Sequence, residues 1–154
     1  MRGWLQRERH PVAPRSSGIE AAMPVSSSPA EITMHPSDAA PVTPEIIPPQ
    51  ALLIGSKGTR RFVGREHGAG ISYFFVDAEP GDGPDLHWHP YTETWFVIEG
   101  TARITVGTAT LIANAEDTAT VPAGVWHGFK NSGTGRLRIL CIHASDTIIQ
   151  TWAD

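Results

Sequence analysis

Short segments with alternating apolar and polar residues run through the second two thirds of the chain. In residues 101–107, TARITVG, three apolar side chains alternate with Arg103 and Thr105, which is typical of a strand with one exposed face. Similar short apolar segments follow each other at turn-sized intervals, at residues 71–78, 93–98, 109–114, 117–121 and 136–143. The C-terminal segment fits a last strand or a short helix equally well. Strands at this spacing predict an all-β sandwich or barrel.

The segment 81–100, GDGPDLHWHPYTETWFVIEG, carries the residues best suited to chemistry. His87 and His89 have the same parity, so an extended backbone points both imidazoles to one face, about 6.6–6.8 Å apart along the strand. Pro90 bends the chain, and Glu93 then begins a strand rich in aromatic and β-branched residues. If parity survives the bend, the carboxylate lies beside two imidazoles, which is an ordinary ligand set for a divalent metal.

A fourth ligand is available in residues 116–131, EDTATVPAGVWHGFKN. Pro122 presets φ and Gly124 permits a positive φ, so the PAG sequence predicts a tight reversal. That reversal would place His127 at the start of the next strand, with Phe129 on the same parity. The two segments together predict one metal site made of residues distant in sequence.

At these positions the chain resembles the cupin superfamily over roughly residues 51–154. The first cupin motif is Gly, five residues, His-x-His, three or four residues, Glu, six residues, Gly; it is filled by Gly81, His87, His89, Glu93 and Gly100. The second motif is Gly, five residues, Pro-x-Gly, two residues, His, three residues, Asn; it is filled by Pro122, Gly124, His127 and Asn131. One position departs from the motif, because Glu116 stands where the second motif opens with glycine.

The resemblance implies a single cupin domain, a double-stranded β-helix or jelly-roll barrel. It implies a divalent transition metal, one of Fe, Mn, Ni, Cu or Zn, held by His87, His89, Glu93 and His127. It also implies a small-molecule ligand or substrate and two classes of function. The first is a metal-dependent enzyme of the dioxygenase or the isomerase and lyase type, and the second is a non-catalytic binding or accessory module.

Several residues outside the ligand set are candidates for the same pocket. Glu93 doubles as a catalytic base if a substrate displaces it from the metal. His143 shares the parity of the apolar side of its strand and is a second catalytic candidate, although a position at the strand end in solvent is the preferred interpretation. Trp95, on the parity of Glu93, is expected to line the substrate pocket. Tyr73 and Phe129 are further pocket candidates, with core packing as the alternative.

The composition of the chain argues against a nucleic-acid-binding, a membrane-spanning and a disulfide-bonded protein. The chain has 154 residues, a net charge of −4 and no basic stripe, which argues against a nucleic-acid partner. No apolar run reaches the ~18 residues of a membrane span, and a single cysteine, Cys141, excludes an intrachain disulfide and predicts a cytoplasmic protein. Trp88, Phe96 and Trp126 have the parity that points away from the barrel, so a homodimer built on that face is expected, although a covering sheet would hide them as well.

The first 50 residues differ from the rest of the chain. Residues 1–50 hold nine of the 13 prolines and many serines and alanines. A segment of this composition cannot bury enough apolar area to offset the entropy of ordering. The predicted organisation is therefore a disordered tail over residues 1–50, followed by one barrel domain over residues 51–154.

Overall fold

The structure is a computed structural model that describes residues 43–154. Its compact unit runs from Pro44 to Asp154. The predicted tail lies outside the described residues up to residue 42. The last part of that predicted tail contributes to a single-turn 3₁₀ helix, Pro49–Leu52.

Nearly all regular structure in the described residues is β. The ten strands are β1 Arg60–Phe62, β2 Ser72–Ala78, β3 His87–Trp88, β4 Glu93–Glu99, β5 Thr101–Val106, β6 Ala109–Asn114, β7 Thr118–Val121, β8 His127–Asn131, β9 Leu137–His143 and β10 Thr151–Trp152. A second 3₁₀ turn, Gly64–Glu66, connects β1 to β2. Within residues 43–154 no helix has the length and apolar character needed to cross a membrane. The all-β prediction is confirmed, and the C-terminal segment forms a strand.

The strands form two five-stranded antiparallel sheets. One sheet has the order β1-β2-β9-β4-β7 and the other has the order β10-β3-β8-β5-β6. Strands distant in sequence become neighbours in both sheets, so His87 of β3 faces His127 of β8 and Glu93 of β4 faces His143 of β9. This double-layered topology brings the two histidine-bearing segments together.

The core lies between the sheets and follows the parity of the strands. In β9, every second residue from Leu137 to His143 is buried, and the residues between them are exposed or half-buried. The largest apolar side chains that are fully buried are Trp95, Ile104, Leu137, Ile139, Val97 and Val121. The inward parity of β4 thus carries both the core residues Trp95 and Val97 and the carboxylate of Glu93.

Asn131 anchors the loop that follows β8. Its amide nitrogen donates to the carbonyl oxygens of Ala78 at 3.0 Å and Gly135 at 2.8 Å. Its side-chain oxygen accepts from the Gly133 N–H at 3.0 Å. These bonds satisfy a buried amide group locally, so the last residue of the second motif closes a turn and does not reach the metal ligands.

Gly100 is required where β4 turns into β5. Its φ of +88° lies in the left-handed region, and a Cβ built there would stand 2.4 Å from the carbonyl oxygen of Arg136 and 3.1 Å from Cα of Leu137. Both neighbours are backbone atoms of the adjacent segment, which cannot turn aside as a side chain can. The glycine that ends the first motif is therefore fixed by steric contact as well as by φ.

Glu116 adopts a conformation that glycine would adopt more easily. Its φ is 76°, and it is the single non-glycine residue with positive φ among the described residues. The left-handed conformation costs an L-residue about 1–2 kcal/mol. The turn geometry of the second motif is thus retained at the position where the motif's glycine is replaced, at a cost in backbone strain.

Glu116→Gly is expected to stabilise the protein by roughly 0.5–1 kcal/mol, because relief of the strain exceeds the entropy that glycine adds to the unfolded chain. The measurement is the free energy of unfolding in urea. Ala115→Gly is the matched control, since Ala115 has a negative φ and its replacement should destabilise. Equal losses of stability in the two variants would contradict the strain at Glu116.

The three outward aromatic residues do not share one face. Phe96 lies on β4 of the first sheet and is 39% exposed, whereas Trp88 lies on β3 of the second sheet and Trp126 lies in the loop just before β8 of that sheet. The prediction of a single aromatic face was wrong. The parity of a residue predicts that its side chain points outward, but it does not predict which of the two sheets the strand joins. The homodimer itself stays a prediction.

Candidate metal centre

Four buried side chains converge between the two sheets. Each offers one ligand atom, and these atoms all lie within 4.8 Å of one another; the four residues are His87, His89, Glu93 and His127. Two ligand atoms that are each about 2.0–2.2 Å from a common ion lie at most about 4.4 Å apart, so small side-chain movements would close the four donors onto one ion. The structure thus brings together the four residues that the two motifs predict, and they form a site for a divalent metal.

The three histidines are held in the tautomer that a metal needs. In each ring Nδ1 lies 2.7 Å from a backbone carbonyl oxygen, in the pairs His87 with Asp85, His89 with Ile149 and His127 with Val125. A carbonyl oxygen can only accept, so Nδ1 carries the proton and donates it. Nε2 is left with a free lone pair, and the backbone bonds orient each ring as they do in metal-binding histidines.

Unpartnered acceptors face each other at the centre of the cluster. Oε2 of Glu93 lies 3.1 Å from Nε2 of His127 and 3.6 Å from Nε2 of His89, and none of these three atoms has a hydrogen-bond partner. With the ring protons on Nδ1, no proton lies between these atoms, and buried acceptors in such contact are costly. A cation bound among them would satisfy all of them at once.

The electrostatics of the cluster favour the protonation states that bind a metal, an ionised carboxylate and neutral imidazoles. Burial opposes ionisation of Glu93, but donation from His127 and His89 would outweigh it and hold the pKa of that carboxyl well below its usual range. With the ring protons on Nδ1, a bound cation takes the place of these donors. Burial lowers the pKa of His87, so this ring is neutral at pH 7. An anionic carboxylate with neutral imidazoles is the donor set that first-row divalent metals bind.

His143 lies beside the four ligands, although it is not one of them. Its Nε2 stands 3.3 Å from Oε1 of Glu93, the side chain is 1% exposed, and neither ring nitrogen has a hydrogen-bond partner. Burial lowers the pKa of His143 to about 4, so the ring is neutral at pH 7. The preferred interpretation of a solvent-exposed strand end was wrong, because β9 lies in the interior of its sheet and pairs with both β2 and β4.

A cavity of about 410 Å³ adjoins the cluster. Its wall includes the ligands His87 and Glu93 and, next to them, His143. Trp95 and Phe129, both predicted for the pocket, also line it. A cavity of this size is in the range of small-molecule sites, and the contact of these residues with a substrate stays a prediction.

Tyr73 does not line this cavity. On β2 its neighbours Phe74 and Val76 face the cavity, and strand alternation turns Tyr73 to the other side. There its ring stacks on Phe62 of β1, with ring centroids 4.8 Å apart. The expected role of Tyr73 in the pocket was therefore wrong, because the next residue, Phe74, faces the cavity instead.

Sequence reasoning missed the C-terminal segment as part of the site. The carbonyl oxygen of Ile149 orients His89, and Tyr91 stacks on the same ring at 5.3 Å while its hydroxyl bonds to Ile149. Trp152 of β10 packs on the His87 ring at 4.9 Å and lines the cavity. No motif marks these residues, because Ile149 acts through its backbone and Trp152 lies on a strand of two residues.

Cys141 lines the cavity as a protonated, buried thiol. It is 3% exposed, and burial, together with the charge of Glu93, raises its pKa well above the usual value. The prediction of a small buried hydrophobe is confirmed.

Cys141 is expected not to react with an aromatic disulfide reagent at pH 8 until denaturant is added, because the thiolate is the reactive form. The reaction is followed by absorbance. Complete reaction of the native protein on mixing would contradict this prediction.

Comparison with known proteins agrees with the geometry. The family profile described as "Cupin domain" matches residues 74–143. The chain is 35% identical over 92 residues to oxalate decarboxylase of Bacillus subtilis strain 168, covering 53% of this chain and 24% of that protein. It is 30% identical over 72 residues to mannose-1-phosphate guanylyltransferase 2 of Escherichia coli O157:H7, covering 46% of this chain and 15% of that protein.

Comparison with solved structures also gives similarity to oxalate decarboxylase. Structures of Bacillus subtilis oxalate decarboxylase superpose with a TM-score of 0.57 at 28% identity, over 61% of this chain and 27% of that chain. That enzyme has Mn(II) centres. The described chain therefore matches about a quarter or less of the length of these relatives.

Proposed function

Because this chain belongs to the cupin superfamily, we propose that it is a metal-dependent enzyme acting on a small organic molecule. The observation that carries the proposal is the set of three Nδ1-to-carbonyl hydrogen bonds, which leaves three Nε2 atoms facing the carboxylate of Glu93. These four donors lie beside a cavity large enough for a small substrate. A divalent ion bound there supplies Lewis acidity at a substrate oxygen or, if redox-active, the activation of dioxygen.

The donor set admits several metals. Three imidazoles and one carboxylate bind Fe(II), Mn(II), Ni(II), Cu(II) and Zn(II), and affinity alone favours copper whatever the biological metal is. The similarity to oxalate decarboxylase, which has Mn(II) centres, makes manganese the first ion to test. Four protein ligands leave room for further coordination at an ion that prefers five or six ligands, which is the condition for catalysis.

The chain's own residues supply proton transfer and apolar side chains beside the metal site. His143 is neutral at pH 7, so one of its nitrogens can accept a proton from a bound substrate. Glu93 is ionised and serves as a base when it is released from the metal. Trp95 and Phe129 exclude water from the wall, which strengthens electrostatic interactions at the reacting atoms. These roles fit a dioxygenase or an isomerase or lyase.

The test combines metal analysis with a screen for turnover. Protein purified without oxygen is analysed for metal, reloaded with Mn(II) or Fe(II), and assayed for dioxygen uptake and for conversion of oxalate, a catechol and a β-dicarbonyl. We expect turnover by the loaded protein, none by His127→Ala, and a reduced kcat with full metal content for His143→Gln. Turnover that is independent of metal would contradict the proposal.

A non-catalytic binding or accessory module is the second candidate. The observation that favours it is the scarcity of buried acid and base groups in the cavity wall: His143 is the one fully buried histidine or carboxylate outside the metal ligands in the described residues, since Asp77 and Asp82, which also line the cavity, are partly exposed. A binding module would take up metal and ligand without converting the ligand. Unchanged ligand recovered from the loaded protein after long incubation would favour this function over the first.

We also retain a cytoplasmic location and a homodimer as proposals. The single cysteine, Cys141, is buried, which supports a protein that does not depend on disulfides. Exposed apolar residues on the outer sheet faces, among them Phe96 and Trp126, support self-association. Sedimentation equilibrium of the purified protein measures the second proposal, and a monomer at micromolar concentration would overturn it.

A further inference from the structure

We propose that residues 144–154, which we call the C-terminal strap, control how tightly the metal is held, and that Tyr91 is the positioning residue that fastens this strap. The inference rests on the metal site of the proposed function and does not depend on catalysis. It follows from one ligand histidine whose hydrogen-bond acceptor lies on a distant and weakly anchored segment.

His89 differs from the other two ligand histidines in the position of its acceptor. For those two, the accepting carbonyl lies two residues earlier in the chain, in the pairs His87 with Asp85 and His127 with Val125. Each of these rings shares a short stretch of backbone with its acceptor. The acceptor of His89 is the carbonyl oxygen of Ile149, 60 residues further along the chain. The orientation of His89 therefore depends on where the C-terminal strap lies.

The C-terminal strap has few contacts that hold it to the barrel. None of residues 144–154 is fully buried, and their regular structure is limited to the two residues of β10. By contrast, β9, which comes directly before the strap, has four buried residues and pairs with a strand on each side. Segments with few buried contacts open at a lower free energy than the core. The strap can therefore open while the barrel stays folded.

Tyr91 fastens the strap to the ligand that the strap orients. Its hydroxyl oxygen accepts from the N–H of Ile149 at 2.8 Å, and the hydroxyl donates to the carbonyl oxygen of Ile149 at 3.2 Å. A carbonyl oxygen has two lone pairs, so Ile149 can accept from His89 and Tyr91 together. The Tyr91 ring also stacks on the His89 ring, with centroids 5.3 Å apart and 4° between the planes. One side chain thus contacts both the ligand and its acceptor.

The strap has a second contact with the metal ligands. Trp152 packs on the ring of His87 at 4.9 Å, and Gln150 and Trp152 form part of the cavity wall. Opening of the strap would therefore release the orientation of His89, uncover His87 and widen the route from solvent to the ligands.

The coupling between strap and metal works in both directions. Contacts that orient a ligand histidine change metal affinity by about 10–100-fold when they are lost. Coupling between two equilibria is reciprocal. An ion that needs His89 in this orientation therefore holds the strap closed by the same factor by which the closed strap raises the affinity for the ion.

The first test measures zinc affinity of the full-length protein by competition with a chromophoric chelator. Tyr91→Phe keeps the ring that stacks on His89 and removes the hydroxyl. We expect this variant to bind zinc about tenfold more weakly and to release it faster into excess chelator. Tyr73→Phe is the matched control, because Tyr73 stacks on Phe62 and does not line the cavity, and its zinc affinity should be unchanged.

The second test measures amide hydrogen exchange of the strap by mass spectrometry. In the wild type, zinc should slow exchange in residues 144–154 by about tenfold. In the metal-free protein, Tyr91→Phe should speed exchange in the strap and leave exchange in β5 unchanged, which distinguishes a fastener of the strap from a residue that stabilises the whole barrel.

Three results would overturn the inference and leave the proposed function standing. These are equal zinc affinity of the wild type and Tyr91→Phe, equal weakening in the Tyr91 and Tyr73 variants, and exchange in the strap that zinc does not slow. A wild-type protein that takes up no zinc would contradict the metal site itself, and the inference would fail with it.

Discussion

His127→Ala is expected to abolish stoichiometric metal binding and to leave a folded protein. Nε2 of His127 is 3.1 Å from the carboxylate oxygen of Glu93 and has no hydrogen-bond partner, so alanine removes one of the four ligands. Loss of one imidazole ligand should reduce the metal content after dialysis from one ion per chain to nearly none. The apolar core does not include the four ligands, so the far-ultraviolet circular dichroism should be retained.

The matched control is His67→Ala. His67 is half-buried and bonds to Glu45 at 3.1 Å, remote from the cluster, so its variant should keep one ion per chain. His87→Ala repeats the test from the other strand. Full metal content in His127→Ala would contradict the site, and unfolding of both ligand variants would show that the ion is required for folding instead.

Gly100→Ala is expected to cost several kcal/mol of stability. The residue has a φ of +88°, and the new Cβ would stand 2.4 Å from the carbonyl oxygen of Arg136. The left-handed conformation costs about 1–2 kcal/mol, and displacement of packed backbone adds about 1–3 kcal/mol. The free energy of unfolding in urea should therefore fall by roughly 2–5 kcal/mol.

Gly124→Ala separates the two causes of the expected stability loss, the left-handed backbone conformation and the steric contact of the new Cβ. Gly124 has a φ of +72°, and nothing lies within 4 Å of the Cβ position, so its variant should lose only the conformational cost of about 1–2 kcal/mol. If both variants lose the same stability, the steric contact with Arg136 contributes nothing, and the close approach of the β4–β5 turn to that segment is wrong.

Local geometry predicted that His87 and His89 share a face, and the resemblance to the cupin motifs predicted the full set of four ligands. The parity of His87 and His89 is fixed by strand geometry, and the spacing of both motifs marked Glu93 and His127. The strand assignments were equally local, since alternation in segments such as residues 101–107 does not depend on neighbours. The sequence could therefore predict the barrel and the metal ligands without knowing which strands pair.

The remaining errors arise from long-range pairing. His143 is buried because β9 is inserted between β2 and β4, and nothing in its own strand shows whether the end of that strand is covered. Tyr73 and Phe74 are both aromatic, so the composition of β2 does not distinguish the cavity side from the side that stacks on Phe62. The part played by Ile149 could not be foreseen, because any residue carries a carbonyl oxygen.

The most direct test is anomalous diffraction from crystals of the zinc-loaded protein. We predict one strong peak per chain, at about 2.0–2.2 Å from Nε2 of each of the three histidines 87, 89 and 127 and from a carboxylate oxygen of Glu93. A peak elsewhere in the molecule, or a zinc ion that His127 does not contact, would contradict the proposed metal centre.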